Sequence, residues 1–119
     1  MCAAYDAWCN QNAPFNSGIT HTEQDSIYWE ALFQLGECWA LAGEYDRACR
    51  ILREVAYRNE GVPPDIHQRA LVRLGHVHCI HGERRMAVQL FERFQALYPS
   101  SPYRPLADCR SVRFRDAGK

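Results

Sequence analysis

Apolar side chains recur at steps of three and four from about Glu23 to Ala42, with Tyr28, Leu32, Leu35 and Trp39 in line and Ala31 and Cys38 alongside. That spacing puts them on one face of a helix. Gly43 is its predicted stop, because glycine accepts the left-handed conformation of a helix C-terminus. A second helix is predicted from about Tyr45 to Asn59, with Ala48, Leu52 and Val55 inward, and Gly61-Val62-Pro63-Pro64 breaks it. A third begins near Pro64 or Asp65, where proline suits the first turn and an acid faces the positive end of the dipole. It carries Ile66, Ala70, Leu71, Leu74, Val77 and His78 and stops at Gly82. A fourth spans about Glu83 to Leu97, with Ala87, Leu90, Phe91 and Phe94 inward. After a turn at Pro99 to Pro102, a fifth, shorter helix is predicted from Pro102 or Pro105, carrying Leu106 and Cys109.

Residues 1–22 form a partly ordered leader on this reading, residues 23–112 the helical domain, and residues 113–119 a frayed tail. In the leader, Ala4, Tyr5 and Trp8 allow a turn or two of helix before a loop rich in Asn, Pro, Ser and Gly. Thr20-x-x-Glu23 is a candidate capping box for the first long helix, with Thr22-x-x-Asp25 a rival start.

The helical domain is written twice. Trp29-x2-Leu32-x2-Leu35-Gly36-x2-Trp39-x3-Gly43-x-Tyr45-x2-Ala48 is followed by Leu71-x2-Leu74-Gly75-x2-His78-x3-Gly82-x4-Ala87-x3-Phe91-x7-Pro99, 39 residues on. Gly36 and Gly75 fall inside helices, where glycine costs about 1 kcal/mol relative to alanine. Two such glycines in register imply a neighbouring helix passing too close for a side chain, with Ala48 and Ala87 as the small residues that supply the approach. Leu32, Leu35, Trp39 and Leu52 would interlock around one contact, and Leu71, Leu74, Phe91 and Phe94 around the other.

This doubled pattern resembles the tetratricopeptide repeat family, whose unit reads Trp-x2-Leu-Gly-x2-Tyr, then Ala-x3-Phe, then Pro. The units cover about residues 29–62 and 68–101, followed by a capping helix. The first has Leu32 for Trp, Trp39 for Tyr, Leu52 for Phe, no terminal Pro, and about five extra residues near Gly61–Asp65. The second has Leu71 for Trp and His78 for Tyr, and keeps Phe91 and Pro99. The resemblance implies an all-α fold, a right-handed helix-turn-helix repeat stack of the α-α superhelix kind. Such arrays usually need about three units, so the leader and the helix after Pro102 act as caps, or self-association supplies the missing neighbour. The run Leu97-Tyr98-Pro99-Ser100-Ser101-Pro102-Tyr103 looks like repeats of bacterial secretion and cell-envelope adaptors.

In the family the first helix of each unit lines a concave groove. Carried over by position, the groove residues are Glu30, Phe33, Glu37 and Ala40 in the first unit, and Arg69, Val72, Arg73, His76 and Cys79 in the second. The groove would then be acidic at one end and basic at the other, with apolar anchors near Phe33 and Val72 for an extended or helical segment. Phe33 divides between partner contact and packing on the leader. The chaperone-binding members clamp a carboxylate with Lys and Asn; Phe33, Glu37 and His76 stand at the matching positions, which argues against that capture.

Charge adds a second pattern. The 119 residues carry no net charge, yet residues 1–46 hold seven acids and no Lys or Arg, and residues 47–119 hold fourteen basic residues and seven acids. The halves, −7 and +7 by subtraction, suit charge-guided pairing with a partner or head-to-tail with another copy; solvated faces are the plain alternative. Nucleic acid is not an expected partner, because the arginines are spread over several helices and the acidic half repels phosphate. The composition, 47% apolar, is that of one globular domain. No stretch is apolar enough for a membrane span, and the N-terminus as written has no signal-peptide pattern.

Six cysteines at wide spacing, with no CxxC, read as free thiols of a reducing compartment, with a disulfide framework the lesser alternative. That reading gives a cytoplasmic location, or a periplasmic one if a signal has been removed. Arg47, Arg50 and Arg53 read as a solvated face. His76, His78, Cys79 and His81 cluster, but a single helix cannot converge all four on a metal, and His78 replaces an inward aromatic. Cys79 with His76 has the spacing of a nucleophile and base and nothing more. No phosphate loop, paired carboxylates or GxSxG motif is present. The expectation is a non-enzymatic interaction module, an adaptor or small chaperone, with a polypeptide partner and no cofactor or metal. Two alternatives stay open: a self-assembling unit joined through its charged halves, and a thiol- or metal-responsive module built on Cys79.

Overall fold

A computed structural model describes residues 21–58 and 60–112, with side chains from residue 25. Four helices run α1 His21–Leu41, α2 Tyr45–Ala56, α3 Pro64–Ile80 and α4 Arg84–Leu97, and the described residues contain no strand. Each helix packs on the next, and α1 also touches α3, so the two helix pairs stack. The all-α repeat reading stands. The leader, both candidate capping boxes, Cys2, Cys9 and the tail lie outside the residues or side chains described.

The two pairs turn in the same way. Gly43 and Gly82 sit at φ +82° and +79°. Gly43 N–H donates to Ala40 at 3.1 Å and Glu44 N–H to Trp39 at 2.9 Å; Gly82 and Glu83 repeat this on Cys79 at 3.1 Å and His78 at 2.8 Å. This is the Schellman arrangement, in which a left-handed glycine lets two backbone donors satisfy the orphan carbonyls of the last turn. α2 stops at Ala56, three residues before the expected Asn59, and the Tyr57 N–H closes its last turn on Arg53 at 3.0 Å.

The core lies between the helix pairs. Leu52, Val55, Leu71, Leu74, Val77 and Phe94 are the largest side chains buried completely. The in-register glycines do permit a close approach. A Cβ on Gly36 would lie 2.7 Å from the Leu52 side chain, and one on Gly75 would run into the Phe91 ring. Large side chains of α2 and α4 fill the space the glycines leave, and Ala48 and Ala87 are completely buried. Leu35 and Trp39 are only partly buried and Pro99 is exposed; Trp39 carries the Arg47 guanidinium 4.7 Å over its ring.

Two expectations fail beyond α4. In place of a fifth helix there are two short 3-10 turns, Arg104–Leu106 and Cys109–Ser111. Pro102 and Pro105 remove backbone donors that a longer helix would need, and extended Asp108 accepts from the Arg110 N–H at 2.8 Å, which restarts the chain as a separate turn. The second failure is the thiols. Cys79 and Cys109 are bonded to each other, closing a sequence separation of 30 residues; Cys38 and Cys49 are free. The two partners are distant in sequence, and the fold of residues 98–109 back onto α3 is what brings them together.

Candidate partner-binding groove

On α3, Arg69, Val72, Arg73 and His76 follow a three-four spacing and share one face. On α1, Phe33, Glu37 and Leu41 do the same with Gln34 beside them. The two faces, with Tyr103 and Leu106 from the C-terminal segment, enclose a cavity of about 340 Å³. Six of the nine residues assigned to the groove by position therefore line it: Phe33, Glu37, Arg69, Val72, Arg73 and His76. Glu30 lines a neighbouring, mostly apolar cavity of about 530 Å³, which Arg69 also borders. Ala40 is 1% exposed and belongs to the core. Cys79 is taken by its disulfide.

The charges of the groove are matched across it. Arg69 Nη2 donates to Glu30 Oε1 at 2.9 Å, and its Nε forms an ion pair with Asp65 at 3.0 Å. Arg73 Nε donates to Glu37 Oε2 at 2.8 Å. Acid and base thus face each other in pairs, not at opposite ends of the groove. The reason is the repeat: stacking puts the acidic first helix of one unit beside the basic first helix of the next. Burial opposes the charge on Arg69, but the hydrogen bond and charge of Glu30, with Asp65, outweigh it and raise its pKa. The same guanidinium lies 4.8 Å over the ring of Phe33, which is only 3% exposed. Phe33 is a floor residue under a cation, not a protruding anchor.

The C-terminal segment is tied to this face at three points. Tyr103 O–H donates to Asp65 Oδ1 at 2.7 Å, which raises the phenol's pKa. His76 bonds to the Leu106 carbonyl at 2.7 Å through Nε2. A carbonyl can only accept, so Nε2 carries the hydrogen, and Nδ1 is left to accept from Arg73 at 3.4 Å. The third tie is the disulfide. Sequence reasoning missed four lining residues, Gln34, Leu41, Tyr103 and Leu106. Leu41 carried a signal, being eight residues from Phe33 on the same face, and Gln34 adjoins Phe33 on that helix; Tyr103 and Leu106 depend on how the chain returns.

Cys79 and His76 are therefore not open as metal ligands or as nucleophile and base, which corrects the thiol- and metal-responsive alternative in that form. Among the described residues no three His, Cys, Asp or Glu side chains converge as a metal site. His78 is packed, 3% exposed, in the aromatic position it replaces. No described helix is long and apolar enough to cross a membrane.

Residues 30–59 match the model of the tetratricopeptide repeat family. That span is the first helix pair, and the second pair stacks on it in the same way, so the chain has a tetratricopeptide-type fold. A repeat of this kind suggests a protein–protein interaction module. Comparison with curated proteins and with solved structures gave no match.

Proposed function

We propose that the chain is a non-enzymatic adaptor or small chaperone that holds a segment of a partner polypeptide in the groove between α1 and α3. The observation that carries this reading is the composition of the cavity wall. Leu41 and Leu106 offer exposed apolar contact over a floor of Phe33 and Val72, and the arginines beside them are already neutralised by Glu30 and Glu37. Such a surface favours a segment anchored by apolar side chains over a highly charged one, since a charged ligand would have to displace existing ion pairs. The disulfide supports an oxidising compartment such as the periplasm.

The test places a photo-crosslinking residue at Leu41 or Leu106 in the groove, and at Met86 on α4 as a control; all three are exposed. The same polypeptide captured from both groove positions, lost in Leu41→Asp and absent from Met86, is the expected result. Equal capture from Met86 would remove the groove from the account.

A further inference from the structure

Cys49 stands on α2, half-buried, with its Sγ 3.8 Å from His78 Nε2. The other ring nitrogen, His78 Nδ1, is 2.6 Å from Glu83 Oε1. The fold sets this geometry in three ways. His78 is 3% exposed and cannot swing away. The Schellman turn at Gly82 brings Glu83 back onto His78, so its backbone N–H and its carboxylate both bond that residue. The packing of α2 on α3 supplies the thiol.

The proton positions follow from the chemistry of the groups. The hydrogen bond from His78 holds the Glu83 carboxyl below its usual range, so it is a carboxylate at neutral pH and can only accept. Nδ1 therefore carries a hydrogen, and in the neutral ring the Nε2 lone pair faces the thiol. Cys49, His78 and Glu83 form a nucleophile, a base and the group that orients the base. Among the described side chains, no imidazole hydrogen-bonds Cys38, the other free cysteine.

We propose that Cys49 is a modification site, a thiol that His78 deprotonates for attack on a small uncharged oxidant of the peroxide class. In the step, a sulfur electron pair forms an S–O bond and the peroxide O–O bond breaks. The thiol proton passes to His78 Nε2 and then to the leaving hydroxide, giving sulfenic acid and water. Sulfur is oxidised by two electrons and the peroxide is reduced by two. The groups facing the thiol are Asp46 and Arg53 from its own helix, His78 from α3, and Glu83 from the turn before α4 with His81 behind it. Burial pushes the thiol up, Arg53 draws it down, and Glu83 and Asp46 push it up again. The resting thiol is thus protonated, and its reactivity depends on the relay, not on a standing thiolate. The two acids also disfavour anionic oxidants. This inference is independent of the groove.

The test uses the full chain without reductant, so that Cys79 and Cys109 stay bonded. It is pulsed with hydrogen peroxide across pH 5.5–9, sulfenic acid is trapped with dimedone, and the Cys49 and Cys38 peptides are quantified by mass spectrometry. Cys49 is expected to react about tenfold faster than Cys38 at neutral pH. Its rate should level off below about pH 8.5, where ordinary thiols ionise. His78→Gln should bring it down to the Cys38 rate and profile, and Glu83→Gln, at an exposed side chain, should give an intermediate fall. Cys49 reacting no faster than Cys38 overturns the proposal. So does a rate and profile unchanged in Glu83→Gln, which decides the matter if His78→Gln fails to fold by circular dichroism.

Discussion

Arg73 on α3 donates from Nε to Glu37 on α1 at 2.8 Å, with only 24% and 18% of the two side chains exposed. This pair joins the first helices of the two repeats at the floor of the groove, and Glu30 with Arg69 forms a second, more open rung. The pairs make the charge division of the chain partly an internal matter: two of the acids in the first 46 residues meet arginines of the second repeat.

Glu37→Gln is expected to cost about 1–2 kcal/mol, because it leaves a half-buried guanidinium without its charged acceptor. Glu30→Gln, at an exposed carboxylate, should cost under about 1 kcal/mol. Urea denaturation at low and moderate salt measures both. A swapped pair, Glu37→Arg with Arg73→Glu, that recovers none of the loss would show that the contact acts through shape, not charge.

Gly75→Ala should destabilise the chain by about 1–3 kcal/mol despite alanine's better helix propensity, since the new Cβ meets the Phe91 ring. A rigid aromatic must move as a body. Phe91→Leu in the same chain should recover part of the loss, and thermal unfolding of the two single variants and the double variant gives the coupling. Additive effects would mean that Gly75 matters for its own helix and not for the crossing.

Cys109→Ser should lower stability by about 3.6 kcal/mol, the loop-closure value for a separation of 30 residues. The two 3-10 turns contain no fully buried residue, so the loss should fall first on that segment. Limited proteolysis is then expected to cut between Tyr103 and Val112 before any site in α1 to α4. Simultaneous cleavage throughout would mean that the bond supports the whole stack.

His67 gives a pH dependence with a definite sign. Its Nε2–H donates to the Ala56 carbonyl at 2.9 Å, and its Nδ1 accepts from Tyr98 O–H at 2.6 Å. Burial lowers its pKa against the raising effect of the Ala56 carbonyl, and Arg93 lowers it further. The unfolded chain, with an imidazole near its ordinary value of about 6.5, therefore takes up a proton at a higher pH than the folded chain. This contribution is fully present above that value and is lost as the pH falls through and below it. The melting temperature should drop on acidification from about pH 7 to 5, and the drop should be smaller in His67→Gln. Parallel curves for the two proteins would assign the acid sensitivity to other groups.

Much of this protein is legible in its residues. The three-four spacing of apolar side chains sets four helices, and Gly43 and Gly82 set the turns, because a positive φ at a helix end is strained for any side chain with a Cβ. The repeat spacing is enough to place Phe33, Glu37, Val72 and Arg73 on facing helices, since stacking copies one unit onto the next. Contacts between residues far apart in sequence are another matter. That Leu52 and Phe91 fill the glycine gaps, that Glu30 and Glu37 neutralise Arg69 and Arg73, and that Cys79 bonds Cys109 each depends on helix separation and on the path of the returning chain. The meeting of Cys49, His78 and Glu83 is of the same kind: periodicity fixes the direction of a side chain around its own helix, and only packing fixes the distance to a side chain on another.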